Sequence, residues 1–144
     1  MKRTPHMAVV LALGAVLAGT VVGCSTKEAA KPDAVGVVDK LPDDTDKAQS
    51  KKNAAEFRSW VKTHGTAEQK AAAPRVDRIL GEWNDETGNA YIATDINGGK
   101  TPVADPQAAA AAIAQAFASW KDSKQGYESV YDVFGNALLT NQKF

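Results

Sequence analysis

Cysteine and histidine are scarce in this chain. Cys24 is the only cysteine, and the two histidines are His6 and His64. A lone cysteine excludes an intramolecular disulfide, and with so few histidines no thiolate or imidazole metal site can be assembled. The sequence also lacks the H-E-x-x-H and G-x-x-x-x-G-K-[ST] motifs, which excludes the zinc-protease and phosphate-loop classes. We therefore expect no metal and no cofactor.

An excess of basic charge is also missing. The chain has 17 Lys and Arg against 17 Asp and Glu. Binding of phosphates requires a basic excess or at least a basic stripe, so nucleic acid is not expected as a partner. The asymmetry that exists lies at the N-terminus, where Lys2 and Arg3 precede an uncharged stretch over residues 7–25.

No hydrophobic run is long enough for a permanent membrane span. The apolar run over residues 8–22 has 15 residues, whereas a spanning helix needs about 20. A short apolar run that follows basic residues and ends in small ones is typical of a secretory signal peptide. The basic residues keep their end in the cytoplasm and direct the rest of the chain outward.

The end of this run, Val21-Val22-Gly23-Cys24, is similar to the lipobox of bacterial lipoproteins. Val21 fits the aliphatic position, where the consensus more often has Leu, Val22 is a tolerated variant, and Gly23 fits the small residue before the cut. The resemblance covers about the first 25 residues and says nothing about the rest of the chain. The alternatives are an ordinary secretory signal with an incidental cysteine, or an uncleaved anchor.

The resemblance implies cleavage before Cys24, a diacylglycerol thioether on its sulfur, and a new amine open to acylation. Each buried methylene contributes about 0.8 kcal/mol, so two palmitate-like chains make a stable anchor whereas one is marginal. We therefore expect the membrane as a partner through acyl chains on Cys24. The expected location is the extracytoplasmic face of the cell membrane.

Three segments are expected: a signal peptide at 1–23, a lipidated N-terminus with a flexible linker at 24–50, and one domain at 51–144. The linker mixes charged and small residues with two prolines and has no aromatic residue, a composition typical of disorder. It would hold the domain on the order of 30 Å from the membrane. The alternative for residues 35–38 is an edge strand of the domain.

The domain is expected to be α+β, because every aromatic residue falls within it and its patterning alternates between helical and strand periods. Apolar spacing and caps predict helices over residues 53–64, with Asn53 as the N-cap, and over residues 67–73, where Thr66 and Gln69 fit a capping box. A third helix is predicted from Pro106, capped by Asp105 and stopped by Gly126.

Alternating residues predict strands over residues 90–96 and 127–140, the latter a hairpin around Gly135-Asn136. The apolar residues within 76–83 have helical spacing, so a helix remains an alternative for this segment. Its turn-forming neighbours favour a strand. The predicted order is α-α-β-β-α-β-β. We expect a small antiparallel sheet of three or four strands with helices packed on one face.

Tryptophan offers the first candidate for a contact surface. Trp60 and Trp120 lie on apolar helix stripes and are expected in the core. Trp83 has charged and turn-forming neighbours, so it is the tryptophan that we expect at a contact surface.

Asp95 and Asn97 are the second candidates, in the stretch TDINGGK over residues 94–100. Their oxygens resemble the start of a calcium loop, but a third oxygen ligand and the distal Glu are missing. The simpler interpretation is a flexible exit from a strand. We include both residues in a candidate contact surface with Trp83.

No catalytic set emerges from the sequence, so we expect a non-catalytic binding domain whose partner is an envelope protein or a cell-wall ligand. His64 fits a helix-end histidine. One alternative is a small envelope hydrolase that uses Glu82, Asp85 and Glu86, which would require a polar cleft around them. Another is a structural spacer, which would carry no concave pocket.

Overall fold

A computed structural model of the chain describes residues 40–99 and 102–144. The predicted signal peptide, Cys24 and residues 35–38 lie outside these residues. The elements, in chain order, are α1 (Lys47–His64), α2 (Ala67–Ala72) with a 3₁₀ turn (Ala73–Arg75), β1 (Val76–Trp83), β2 (Thr87–Thr94), α3 (Pro106–Trp120), β3 (Gln125–Tyr131) and β4 (Ala137–Lys143). The α+β class and the predicted order of elements are confirmed.

The first helix starts earlier than the sequence suggests. Asp46 is its N-cap, and its side chain accepts a hydrogen bond from the Gln49 backbone N–H at 3.0 Å. Asn53, the predicted cap, is instead buried within the helix, where its Nδ2 donates to the carbonyl oxygen of Ile79 at 3.0 Å. The prediction was wrong because Asn53 serves a long-range contact that local patterning does not show.

Residues 40–46 belong to the folded unit, so it extends further toward the N-terminus than the boundary expected at residue 51. Asp44 accepts a hydrogen bond from Ser50 Oγ at 2.7 Å and pairs with Arg78 at 3.1 Å. Leu41 donates its backbone N–H to the carbonyl of Gly135 at 2.9 Å. This segment therefore contacts the edge strand β1 and the turn that leads into the other edge strand, β4.

Residues 76–83 form a strand, which settles the alternative left open by their spacing. The register with β2 shifts between Val76 and Arg78, and this bulge places both Val76 and Ile79 in the core. Beyond the bulge, Ile79 and Trp83 share a face by ordinary alternation, whereas Leu80 faces the other way. The bulge and a strand with apolar residues on both faces together imitate helical spacing.

The sheet has the order β1-β2-β3-β4. The outer pairs are antiparallel hairpins, as expected, but β2 and β3 are parallel. The expectation of an all-antiparallel sheet was therefore wrong for the central pair. Its cause is α3, which carries the chain from the end of β2 back to the level where β2 starts, so that β3 runs in the same direction.

The core lies between one face of the sheet and the two long helices. Phe57 of α1 and Phe117 of α3 are fully buried, with ring centroids 6.1 Å apart. They join the same cluster as Ile79, Ile92 and Val130, which lie beside one another on one face of the sheet. The expected packing of helices on one face is thus present.

Local signals placed most helix ends correctly. Asp105 caps α3, Pro106 occupies its first turn, and Thr66 and Gln69 form a capping box at α2. The predicted stop at Gly126 was wrong, since α3 ends at Trp120 and Gly126 lies in β3. Gly126 is needed there for space, because a Cβ atom would lie 2.8 Å from the ring of Phe144.

Strand direction gives the sheet two distinct ends. The β1–β2 turn, the C-terminal end of α3 and the chain terminus lie at one end, which we call the Trp83 end. The β3–β4 turn, the exit from β2 and Lys40 lie at the other, the Lys40 end. Strands of seven and eight residues separate the two ends by about 25 Å.

Candidate functional site

A groove of about 630 Å³ opens at the Trp83 end, between α1, the end of β1 and the end of α3. We call it the Trp83 groove. The residues that line it are Gln49, Asn53, Glu56, Gly81, Glu82, Trp83, Asn84, Thr87, Gly88, Trp120 and Lys121. They come from α1, from the β1–β2 hairpin and from the end of α3, which are far apart in the sequence, so only the fold brings them together.

Two tryptophans provide the apolar surface of the groove. The rings of Trp83 and Trp120 both pack edge-on against Phe117, at centroid distances of 5.4 and 5.7 Å. Both side chains are only partly buried, so each is fixed by the core and still borders the groove. Lys121 Nζ lies 4.0 Å from the Trp120 ring centroid, within the range of a cation–π contact.

Amide side chains hold the polar rim in place. Gln49 Nε2 donates to Asn53 Oδ1 at 2.8 Å, and Asn53 is itself bonded to β1. On the opposite side, Asn84 Oδ1 accepts from the backbone N–H groups of Glu86 and Thr87 at 2.8 and 3.0 Å. The rim is therefore largely preformed rather than assembled by a ligand.

The carboxylates of the hydrolase alternative do not form an enclosed cleft. Glu82, Asp85 and Glu86 are all exposed, and Glu86 forms an ion pair with Lys124 at 2.7 Å. A glycosidase acid requires an apolar pocket that desolvates it. Glu82 lines the Trp83 groove but is exposed there, and Asp85 and Glu86 are not among the lining residues. His64 is exposed and stacks on Trp60 at 4.9 Å, away from the Trp83 groove.

Asp95 and Asn97 lie at the Lys40 end, so the three candidate contact residues do not form one surface. Asp95 Oδ1 pairs with Arg75 Nε at 2.8 Å. Asn97 adopts a left-handed φ of 65° and donates through Nδ2 to Asp132 Oδ2 at 3.1 Å. In the part of the chain that the structure describes, no group of three or more His, Cys, Asp or Glu residues could hold a metal ion. Both residues have structural partners.

Asp132 is the acceptor at the centre of the β3–β4 turn. Its Oδ1 accepts hydrogen bonds from the backbone N–H groups of Phe134 and Asn136, both at 2.9 Å. Burial by itself would raise the pKa of Asp132, but these bonds and the one from Asn97 outweigh it and hold the pKa below its usual value. The residue fixes the turn and ties it to the exit from β2.

Glu128 is the least expected side chain in the core. It is 1% exposed, and among the described residues neither carboxyl oxygen has a hydrogen-bond partner. Burial raises its pKa to about 9, so the carboxyl is protonated at neutral pH. Its burial could have been inferred from the sequence, because strand alternation places Glu128 on the same face as the core residue Val130.

No protein-family model matches the chain, and neither a curated protein nor a solved structure is significantly similar to it. Among residues 40–99 and 102–144, no helix combines the length and the apolar character needed to cross a membrane.

Proposed function

We propose that the protein is a lipid-anchored extracytoplasmic lipoprotein whose domain binds a cell-wall glycan in the Trp83 groove. The anchor is supported by the basic start, the short apolar run and the lipobox-like residues before Cys24. The observation that carries the binding function is the pair of tryptophans that borders a groove with a polar rim.

The size of the groove favours a small or narrow ligand. Small-molecule sites commonly measure about 300–1,000 Å³, and the Trp83 groove has about 630 Å³. A stable protein partner would need a contact area of about 800 Å² on this chain. We therefore place the cell-wall ligand before an envelope protein as the occupant.

The chemistry of the groove suits a sugar chain. Sugar rings have apolar C–H faces, which can pack on Trp83 and Trp120, and hydroxyl groups around their edges. Those hydroxyls can donate to the carboxylates of Glu56 and Glu82 and accept from Lys121, all of which line the groove. Each such hydrogen bond contributes about 0.5–1.5 kcal/mol net, so several are needed for useful affinity.

The geometry of the groove disfavours the two alternatives, a structural spacer and a hydrolase. A pure spacer would have no use for a groove whose polar rim is fixed by amide hydrogen bonds. A hydrolase would require a desolvated acid beside the ligand, whereas Glu82 is exposed. A binding role without bond cleavage accounts for the groove with the fewest further requirements.

The test is isothermal titration calorimetry of the protein with soluble glycan fragments released from bacterial cell wall by muramidase. We expect saturable binding by the unaltered chain. Trp83→Ala removes one apolar wall and is expected to weaken binding by about tenfold or more, since each 1.4 kcal/mol is a factor of ten.

Trp60→Ala is the matched control, because Trp60 packs on His64 outside the groove. The Trp60→Ala variant should bind the glycan fragments as tightly as the unaltered chain does. Equal affinity in the Trp83→Ala variant would place the ligand elsewhere. Absence of binding by the folded, unaltered chain would contradict the glycan assignment and leave an envelope protein as the candidate occupant.

A further inference from the structure

The Lys40 end carries two exposed apolar side chains at the tip of the β3–β4 turn. Val133 is 47% and Phe134 is 71% exposed. The other phenylalanines that the structure describes, Phe57, Phe117 and Phe144, are all buried. A single exposed apolar residue is ordinary on a protein surface, so the neighbourhood of this pair decides its meaning.

The turn presents these side chains in a fixed orientation. Asp132 accepts hydrogen bonds from the backbone of Phe134 and Asn136. Val133 donates its backbone N–H to the carbonyl of Ile96 at 2.9 Å. Gly98 lies so close that a Cβ atom there would be 2.6 Å from Val133 Cγ1. A small apolar tip held in this way loses little conformational entropy when it meets a partner.

The chain that leads to Cys24 leaves the fold beside this tip. Lys40 forms a β-bridge with Asn136, and Leu41 is bonded to Gly135. Residues 25–39 separate Lys40 from Cys24, a tether of 15 residues with an average span of about 20 Å if it is flexible. Acyl chains on Cys24 would therefore keep the Lys40 end, rather than the Trp83 end, next to the bilayer.

We propose that Val133 and Phe134 insert into the boundary between headgroups and acyl chains of the membrane that holds Cys24. This inference rests on the lipid anchor of the proposed function. Phe is among the apolar residues with which membrane-surface segments enter that boundary. A tethered tip meets it at millimolar effective concentration, so a contact of two residues suffices. The domain then stands on its Lys40 end, with the Trp83 groove directed away from the membrane.

Charge at this end is compatible with anionic headgroups. Lys40 is exposed and adds a positive charge beside the tip. Among the residues that the structure describes, the carboxylates of Asp95 and Asp132 next to the tip are engaged within the protein, since Asp95 pairs with Arg75 and Asp132 accepts hydrogen bonds from the turn. Their repulsion of the bilayer is thereby reduced.

The experiment measures the height of each end of the domain above the bilayer. Full-length lipoprotein is reconstituted in vesicles of phosphatidylethanolamine and phosphatidylglycerol that contain a headgroup-linked acceptor dye. Donor dye is attached to a new cysteine at Ala104→Cys, beside the start of α3 at the Lys40 end, or at Asp85→Cys in the β1–β2 turn. Both positions are exposed, and a lipidated Cys24 has no free thiol to react.

We expect energy transfer to the bilayer to be stronger from position 104 than from position 85, in line with ends about 25 Å apart. Adding Phe134→Ser should reduce that difference to the part that attachment at Lys40 imposes by itself, because the domain then tilts more freely on its tether. An unchanged urea-unfolding midpoint of the Phe134→Ser variant verifies that the fold is intact.

Equal transfer from positions 104 and 85 in the lipidated chain would overturn the membrane contact while leaving the anchor in place. A difference that Phe134→Ser leaves unchanged would also overturn it, because the tether alone would then account for the orientation. Dye uptake by the chain without a new cysteine would reveal a free Cys24. That result would contradict the anchor itself, and the membrane contact with it.

Discussion

Glu128 is the residue whose surroundings conflict most with its chemistry. A carboxylate in an apolar core without a partner is costly, so the group takes up a proton instead. Its pKa is raised to about 9 from 4.5, which means that the folded chain binds a proton at neutral pH that the unfolded chain releases. Stability is therefore linked to pH through this one side chain.

The sign of the linkage follows from the raised pKa. The contribution of Glu128 to folding is most favourable below pH 4.5, and it declines as the pH rises toward about 9. At pH 7 the loss is about 3 kcal/mol, at 1.36 kcal/mol for each pH unit above the unfolded value.

Glu128→Gln cannot ionise, so it is expected to remove most of the pH dependence between pH 5 and about 9. Urea unfolding at several pH values measures this dependence. Glu82→Gln, at an exposed position, is the matched control and should keep the slope of the unaltered chain. An equal slope in Glu128→Gln would contradict the protonated state of Glu128.

At the scale of elements, the β3–β4 turn has two structural roles at the Lys40 end. Asp132 fixes its backbone and Asn97 joins it to the exit from β2, so the same turn stabilises the sheet and orients Phe134. The stabilisation by Asp132 requires its ionised form, because its pKa is lowered by the hydrogen bonds that it accepts. It is present at neutral pH and is lost as the pH falls through that lowered value.

Asp132→Ala is expected to lower the free energy of unfolding by about 2–4 kcal/mol at pH 7, because several hydrogen bonds to a buried charged group are lost. Asp132→Asn keeps one acceptor oxygen and should lose less. Urea unfolding measures both values. Asp122→Ala, at an exposed position, should change the free energy little, and a similarly small change in Asp132→Ala would contradict its central place in the turn.

Elements were predictable where their signals are local. The capping residues Thr66 and Asp105 and the proline after Asp105 gave the starts of α2 and α3 from the sequence. The strand β1 was harder, because the bulge near Val76 imitates helical spacing. The parallel pairing of β2 with β3 and the burial of Asn53 depend on contacts between distant segments, which a single sequence does not display.

At the scale of the whole molecule, the two proposed contacts, with a glycan and with the membrane, lie at opposite ends of the sheet. The Trp83 end carries the groove, and the Lys40 end carries the exposed tip and the chain that leads to Cys24. The neighbours of Trp83 were enough to suggest a contact surface there. They could not reveal the groove, which needs α1 and α3 beside β1, nor separate Trp83 from Asp95 and Asn97.

The lipid anchor is the premise on which location and orientation both depend. The mature chain is expected to begin at Cys24 with diacylglycerol on its sulfur. Cys24→Ala removes the attachment atom, so that variant is expected to remain unprocessed or to leave the membrane fraction. Cell fractionation with metabolic palmitate labelling follows both changes.

The most direct test of the central claim is the intact mass of the protein extracted from the membrane fraction. The expected mass is that of a chain beginning at Cys24 and bearing diacylglycerol, with or without an acyl group on its new amine. A membrane-bound chain that begins at Met1, or one with an unmodified Cys24 thiol, would contradict the account.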